Sequence, residues 1–166
     1  MNNKINSKQK GNTFERKIAK ELSIWMFNDE NILKRHPTSG MDKCIWTGDV
    51  VPMAQLLDEW NNEFPIHIEC KTGYKDDTPD FWNYKKIISW FNKSRKECVL
   101  NKQNIIYLIC RFKNRSIILI TNQMIMSLNY KLILLDDNNN MLFVYNYNDL
   151  LKTNFNDIFN SQIKIT

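Results

Sequence analysis

Residues 64 to 72 read Phe-Pro-Ile-His-Ile-Glu-Cys-Lys-Thr, so that Ile66, Ile68 and Cys70 alternate with His67, Glu69 and Lys71. A period of two is that of a half-buried β-strand, whose successive side chains leave on opposite faces. One face of this strand is apolar, and the other carries a carboxylate and an amine two positions apart, roughly 6 to 7 Å from each other. Upstream the period is helical: Phe14, Ile18, Leu22 and Trp25 predict a helix over residues 13–27, with Asn12 as its N-cap. Residues 31–36 predict a first strand. Residues 44–51 predict a second, which Gly48 interrupts and Pro52 ends, and residues 53–60 a short helical insertion.

Farther along, Tyr84, Ile87, Ile88, Phe91 and Cys98 share one face of a helix over residues 81–101, with Lys85, Asn92, Lys93 and Lys96 turned away. Residues 104–112 and 116–121 form a β-hairpin through Lys113-Asn114-Arg115. A short helix over 123–128, a hairpin made by 131–135 and 142–147, and a last helix over 148–155 complete the pattern. This order predicts a mixed α/β domain with a central sheet flanked by helices. The 166 residues suffice for one domain with its own core. Within it residues 1–10 form a polar arm, 11–121 the main body and 122–166 an extension.

Composition changes this picture only slightly. No apolar run approaches the roughly 20 residues of a membrane span and residues 1–10 have no signal-peptide core, so a cytoplasmic protein without a membrane partner is expected. Cys44, Cys70, Cys98 and Cys110 are scattered, with no Cys-x-x-Cys and no His at zinc-ligand spacing, and read as reduced, buried thiols. Charge is more telling. Residues 1–35 have a net charge of +4, residues 40–80 of −6 and residues 85–115 of +8. Acids concentrated between two basic segments suit an enzyme that binds cations and acts on a polyanion.

Within the acidic segment the candidates are Glu69 and Lys71 on the alternating strand and Asp49, which follows a β-rich run and has no local cap to form. If their strands pair, the two acids and the amine meet at one end of the sheet. Taken alone, Glu69 and Lys71 read more readily as ordinary residues of a solvated strand face, and further acids are needed to make a site of them. Glu15 lies at the edge of the first helix's apolar sector, where it can either approach this site or close a capping box with Asn12. His67 shares the strand face and reads as flanking; His36 has no assigned role.

Glu15 in an initial helix, Ser39-Gly40, Gly48-Asp49-Val50-Val51 and Ile68-Glu69-Cys70-Lys71, with Gly11-x-x-x-Glu15-Arg16 and Arg35-x-x-x-Ser39-Gly40, resemble the PD-(D/E)XK nuclease superfamily. Within it the likeness is to archaeal-type Holliday junction resolvases and related phage endonucleases. It spans residues 11–121 and leaves 122–166 without a counterpart. The resemblance implies a restriction-endonuclease-like mixed sheet flanked by helices, and Mg²⁺-dependent (or Mn²⁺-dependent) hydrolysis of DNA phosphodiesters. It makes Asp49 and Glu69 metal ligands, Lys71 the catalytic lysine and Glu15 a further acid at the metal. Arg16, Arg35 and Ser39 become DNA-contacting candidates, and Lys85, Lys86 and Lys93 possible contributions from the next helix. Gly48 stands where the motif has Pro, a departure expected to matter little because that residue supplies no ligand. Asp42 is a rival for the role of Asp49.

Trp82 is a candidate either for stacking on DNA or for packing. The resolvase likeness implies branched DNA as substrate and a homodimer cutting opposite strands. Leu142, Phe143, Tyr145, Leu150, Leu151, Phe155 and Phe159 in the extension are then candidates either for the partner surface or for the monomer's own core. The alternatives are a phage nuclease without junction preference and a non-catalytic DNA-binding module.

Overall fold

The computed structural model describes residues 7–36, 47–53, 64–73, 84–100, 103–112 and 116–159. Ser39, Asp42, Cys44, Trp82, the 54–60 part of the predicted insertion and the Lys113-Asn114-Arg115 turn lie outside them.

Helix α1 (Ser7–Phe27) begins earlier than its apolar spacing predicts, which places Asn12 inside it. Asn12 is therefore no N-cap, residues 7–10 belong to a helix rather than an arm, and the capping-box reading of Glu15 falls. Phe14, Ile18, Ala19, Leu22 and Met26 are the buried stripe. The helix ends at Asn28, whose φ of 56° is the left-handed stop that Asn tolerates. Buried Ser23 joins α1 to the first strand: its hydroxyl accepts from the Ile32 and Leu33 amides (2.9 and 3.0 Å) and donates to the Asp29 carbonyl (2.6 Å).

Strands β1 (Leu33–Arg35), β2 (Val50–Pro52), β3 (Ile66–Thr72), β4 (Ile105–Arg111), β5 (Ile118–Thr121), β6 (Leu132–Leu135) and β7 (Met141–Asn146) form one sheet in the order β1-β2-β3-β4-β5-β7-β6. Among the described residues only β3 and β4 pair in parallel, with helix α2 (Tyr84–Leu100) lying between them in sequence as a parallel pair requires. The two helices cover opposite faces. On the α1 side Ile66, Ile68 and Cys70 pack with Phe14, Ile18 and Leu22; on the α2 side Ile87, Ile88, Phe91 and Cys98 pack with Ile106, Leu108 and Cys110. Among the described residues, no helix is long and apolar enough to cross a membrane.

The C-terminal part departs most from the pattern. Residues 123–128 form turns rather than a helix, and the last predicted helix is two short ones, α3 (Tyr147–Leu150) and α4 (Phe155–Phe159). Leu142, Phe143, Tyr145, Leu150 and Phe155 are buried within the chain's own core, and Leu151 packs against it. They extend the sheet, Leu142 packing on its α2 side and the others closing its α1 side, where Trp25 Nε1 donates to the Thr153 carbonyl (2.9 Å), so they cannot also offer a partner surface.

The β6–β7 turn is tied to α2. Asp136 is buried and accepts from the Asn138 and Asn140 amides (2.9 and 2.8 Å) and from Arg95, while Asn92 Nδ2 donates to Asp137 (2.7 Å). Burial alone would push the Asp136 carboxyl up, but bonds from Asn140, Arg95 and Asn138 outweigh it and hold it well below the usual range. A depressed acid stabilises the fold above its unfolded value and ceases to do so as pH falls through its folded one. Asp136→Ala is expected to cost about 2 kcal/mol at neutral pH by stranding these donors. In paired urea denaturations that difference should shrink below about pH 4, and a pH-independent difference would remove the charge from the explanation.

Candidate active site

Asp49 is positioned by backbone. Gly48 adopts a φ of 107°, and a Cβ there would lie 2.6 Å from the Ile68 carbonyl oxygen, so only glycine lets the chain run this close to β3. The Asp49 amide then donates to Ile68 O (2.8 Å), its carbonyl accepts from the His36 amide (2.8 Å), and its Oδ2 accepts from the Cys70 amide (2.8 Å). The carboxylate is thereby fixed against the strand that bears Glu69 and Lys71. The expected β2–β3 pairing is present, with Val50 opposite Ile68.

Strand β3 is central, not half-solvated. His67 is fully buried and Glu69 is 8 % exposed, because α2 covers the face that alternation alone assigns to water. Lys71 Nζ donates to Glu69 Oε1. Burial pushes the Asp49 carboxyl up and the charge of Glu69 pushes it further, against the Cys70 amide, Lys71 and His67. Two carboxylates held this way, with hard oxygen donors and a deficit of positive charge between them, fit a divalent cation.

Glu15 is on the other side. Its Oε2 accepts from Arg35 Nε (2.6 Å), both side chains being largely buried. Its charge reaches Cys70, whose buried thiol is pushed well up by burial and then by Asp49, Glu69 and Glu15. Cys70 faces α1, whereas Glu69 and Lys71 face α2, so Glu15 flanks the site across the strand and shares no contact with Glu69 among the described residues. Arg35 supports Glu15 and is not simply an arm for DNA. Arg16 is exposed on α1, as is Lys85 on α2. Lys86 lies over the Trp90 ring (5.4 Å), and Lys93 lies 3.6 Å from Glu97.

Three residues escape sequence reasoning: Thr47, Glu97 and Gln103. Glu97 projects from α2 to within 3.7 Å of His67 Nε2, and Glu69 Oε2 lies 4.0 Å from the same nitrogen. On the ring's far side His67 Nδ1 meets Thr47 Oγ1 (3.1 Å), which donates to Gln103 Oε1 (3.1 Å), while Gln103 Nε2 donates to the Ile66 carbonyl (2.8 Å). Burial lowers the His67 pKa despite the opposing charge of Glu97. One signal was available, since Glu97 is the only acid in the strongly basic 85–115 segment. His67 is thus an interior residue of the site rather than a flanking one.

No curated protein and no solved structure matches the chain. The model of one family, described as "Phage putative PDDEXK endonuclease", matches residues 6–165. That span includes the extension, which the motifs had left without a counterpart, and the seven-stranded mixed sheet between helices is consistent with a restriction-endonuclease-like fold. A backbone-fixed aspartate beside a Glu-x-Lys strand, in a chain matched almost from end to end, places the protein in this family of phage PD-(D/E)XK endonucleases.

Proposed function

We propose that the protein is a divalent-metal-dependent DNA endonuclease that hydrolyses phosphodiester bonds, with a preference for branched DNA. The observation that carries this reading is the carboxylate of Asp49, bonded to the Cys70 amide and raised in proton affinity by burial and by Glu69. Asp49 and Glu69 would hold Mg²⁺, with Mn²⁺ as a substitute, and Glu15 would bias the site from across β3. When bound, the ion activates water and neutralises charge on the phosphate. Lys71, already held at Glu69, presents its ammonium to the same phosphate and stabilises charge that develops in the transition state. The Cys70 amide keeps Asp49 from turning away, and α2 limits water on the Glu69 side. The test is incubation with labelled four-way junction, duplex and single-stranded DNA, in Mg²⁺ and in EDTA. Cleavage of the junction over duplex supports the full proposal, equal cleavage reduces it to a general nuclease, and no Mg²⁺-dependent cleavage overturns it.

The basic segments would bind the phosphates. Lys85 and Lys86 are adjacent on α2 and Lys93 lies about two turns farther along it, and Arg16, Arg35 and Ser39 belong to the N-terminal part. Replacing the three lysines with alanine is expected to flatten the dependence of log K on log salt by up to about 3, since each neutralised phosphate contributes roughly 0.9. Fluorescence anisotropy between low and moderate salt reads this, and an unchanged slope would place DNA elsewhere. Cutting both strands of a junction needs two sites, which a homodimer supplies. The edge strand β6 has exposed Leu132 and Leu135 beside Met141 and is the surface that supports pairing. Light scattering with and without junction DNA tests it.

A further inference from the structure

We propose that His67, Glu69 and Glu97 form a second cation site on the α2 side of β3, suited to a first-row divalent transition metal of the manganese class. One donor atom from each of the three lies within 4.8 Å of the others. The assignment goes beyond the hydrolytic centre, with which it shares Glu69, and does not require that centre to act on DNA.

The hydrogen bonds behind the imidazole carry the argument. Gln103 Nε2 donates to the Ile66 carbonyl, which orients the amide and turns Oε1 toward Thr47. An amide oxygen only accepts, so the Thr47 hydroxyl proton goes to it. The hydroxyl oxygen must then accept from His67 Nδ1, which fixes the proton on that nitrogen. Nε2 is left as a lone pair, fully buried and without a hydrogen-bond partner, pointing toward two carboxylates. Lys71 and Lys93 lie at the Oε1 atoms of Glu69 and Glu97, whereas the lone pair faces their Oε2 atoms, and a cation placed between these three donors would satisfy all of them. An imidazolium bonded to either acid would bring its oxygen to about 3 Å, whereas the separations are 3.7 and 4.0 Å. Two donors on one ion with bonds of about 2.0–2.2 Å lie at most about 4.4 Å apart, and the separations of 3.7 and 4.0 Å fall within that reach, so a small inward movement of the carboxylates completes the site. A ligating imidazole whose other nitrogen donates to an oriented oxygen is the usual supporting arrangement at metal sites. Two carboxylates suit Mn²⁺, and the added imidazole favours a first-row transition ion that accepts nitrogen over Mg²⁺, which is bound through oxygen donors.

The test uses Mn²⁺ itself, added to the full chain, with pulsed electron paramagnetic resonance to detect ¹⁴N coupling from a bound imidazole. Wild type is expected to show that coupling. His67→Ala should abolish it, and Asp49→Asn should retain it. Glu97→Gln, at a half-exposed helix position that does not endanger folding, should weaken Mn²⁺ binding by about tenfold or more and diminish the ¹⁴N signal. His36, the other histidine, serves as control through His36→Ala, which should change nothing. Bound Mn²⁺ without nitrogen coupling, coupling that survives His67→Ala, or Mn²⁺ affinity unaffected by Glu97→Gln would each overturn the site. Nitrogen coupling in a protein that cuts no DNA would leave the site standing and remove the nuclease reading; Mg²⁺-dependent cleavage without coupling would do the reverse.

Discussion

Asp49→Ala and Glu69→Ala are each expected to slow cleavage by at least about 10³-fold while leaving DNA affinity within a few-fold. Losing a ligand to the ion removes several kcal/mol of charge stabilisation that exists only in the transition state, and each 1.4 kcal/mol is about a factor of ten. Affinity comes mainly from Lys and Arg on phosphates, which neither change touches. Asp49→Asn and Glu69→Gln keep the side-chain volume, and the Asn oxygen can still accept from the Cys70 amide, so they separate lost chemistry from lost folding. Lys71→Ala should lower turnover at saturating metal with less effect on metal affinity, because its ammonium stabilises charge rather than holding the ion. Single-turnover cleavage with parallel binding measurements decides the matter. Wild-type rates in either acid variant at ordinary Mg²⁺ would show that the ligands lie elsewhere.

Gly48→Ala is expected to destabilise the fold by about 3 kcal/mol or more, a large share of a small domain's total. Two costs combine. An L side chain at a φ of 107° is strained, and its Cβ would meet the Ile68 carbonyl oxygen at 2.6 Å and the Ile68 nitrogen at 3.2 Å, both backbone atoms that cannot step aside without breaking the β2–β3 pairing. Gly48→Pro should do at least as much harm, since the ring holds φ near −65°. Equilibrium urea unfolding gives the answer as a lowered midpoint, and a midpoint within experimental error of wild type would contradict the close approach. The glycine is therefore not a neutral stand-in for the motif's proline. It lets Asp49 lie against β3, a role that the absence of a ligand atom conceals.

What the sequence determined by itself is what depends on local period and short spacing. Apolar residues every three or four positions specify α1 and α2, alternation specifies β3, and short links between β-rich runs specify the β4–β5 and β6–β7 hairpins, because each pattern is satisfied by neighbours along the chain. The same locality makes the meeting of Asp49, Glu69 and Lys71 legible, since Asp49 stands beside β2 and the other two on β3, the next strand in the chain and its antiparallel partner. Helix ends are less legible: α1 extends back through Gly11 and Asn12 because helix propensity is a weak signal against propagation from a packed stripe.

Tertiary structure alone decided the rest. Alternation cannot tell an edge strand from a central one, so the burial of His67 and Glu69 depends on α2 crossing over β3 and on β4 pairing in parallel with it. Glu15 and Arg35 are 20 positions apart, and Thr47 and Gln103 are 56 apart, distances at which no periodicity carries information. Glu97 stands 28 positions beyond Glu69 on another element and reaches it only because the crossover brings helix and strand face to face. The C-terminal apolar residues could cover a partner or fill the core until β7 took its place beside β5, with its inward side chains on both faces buried, and so joined the interior. Which surface a hydrophobic side chain covers is a property of the assembled sheet, since burial itself has no direction along the chain.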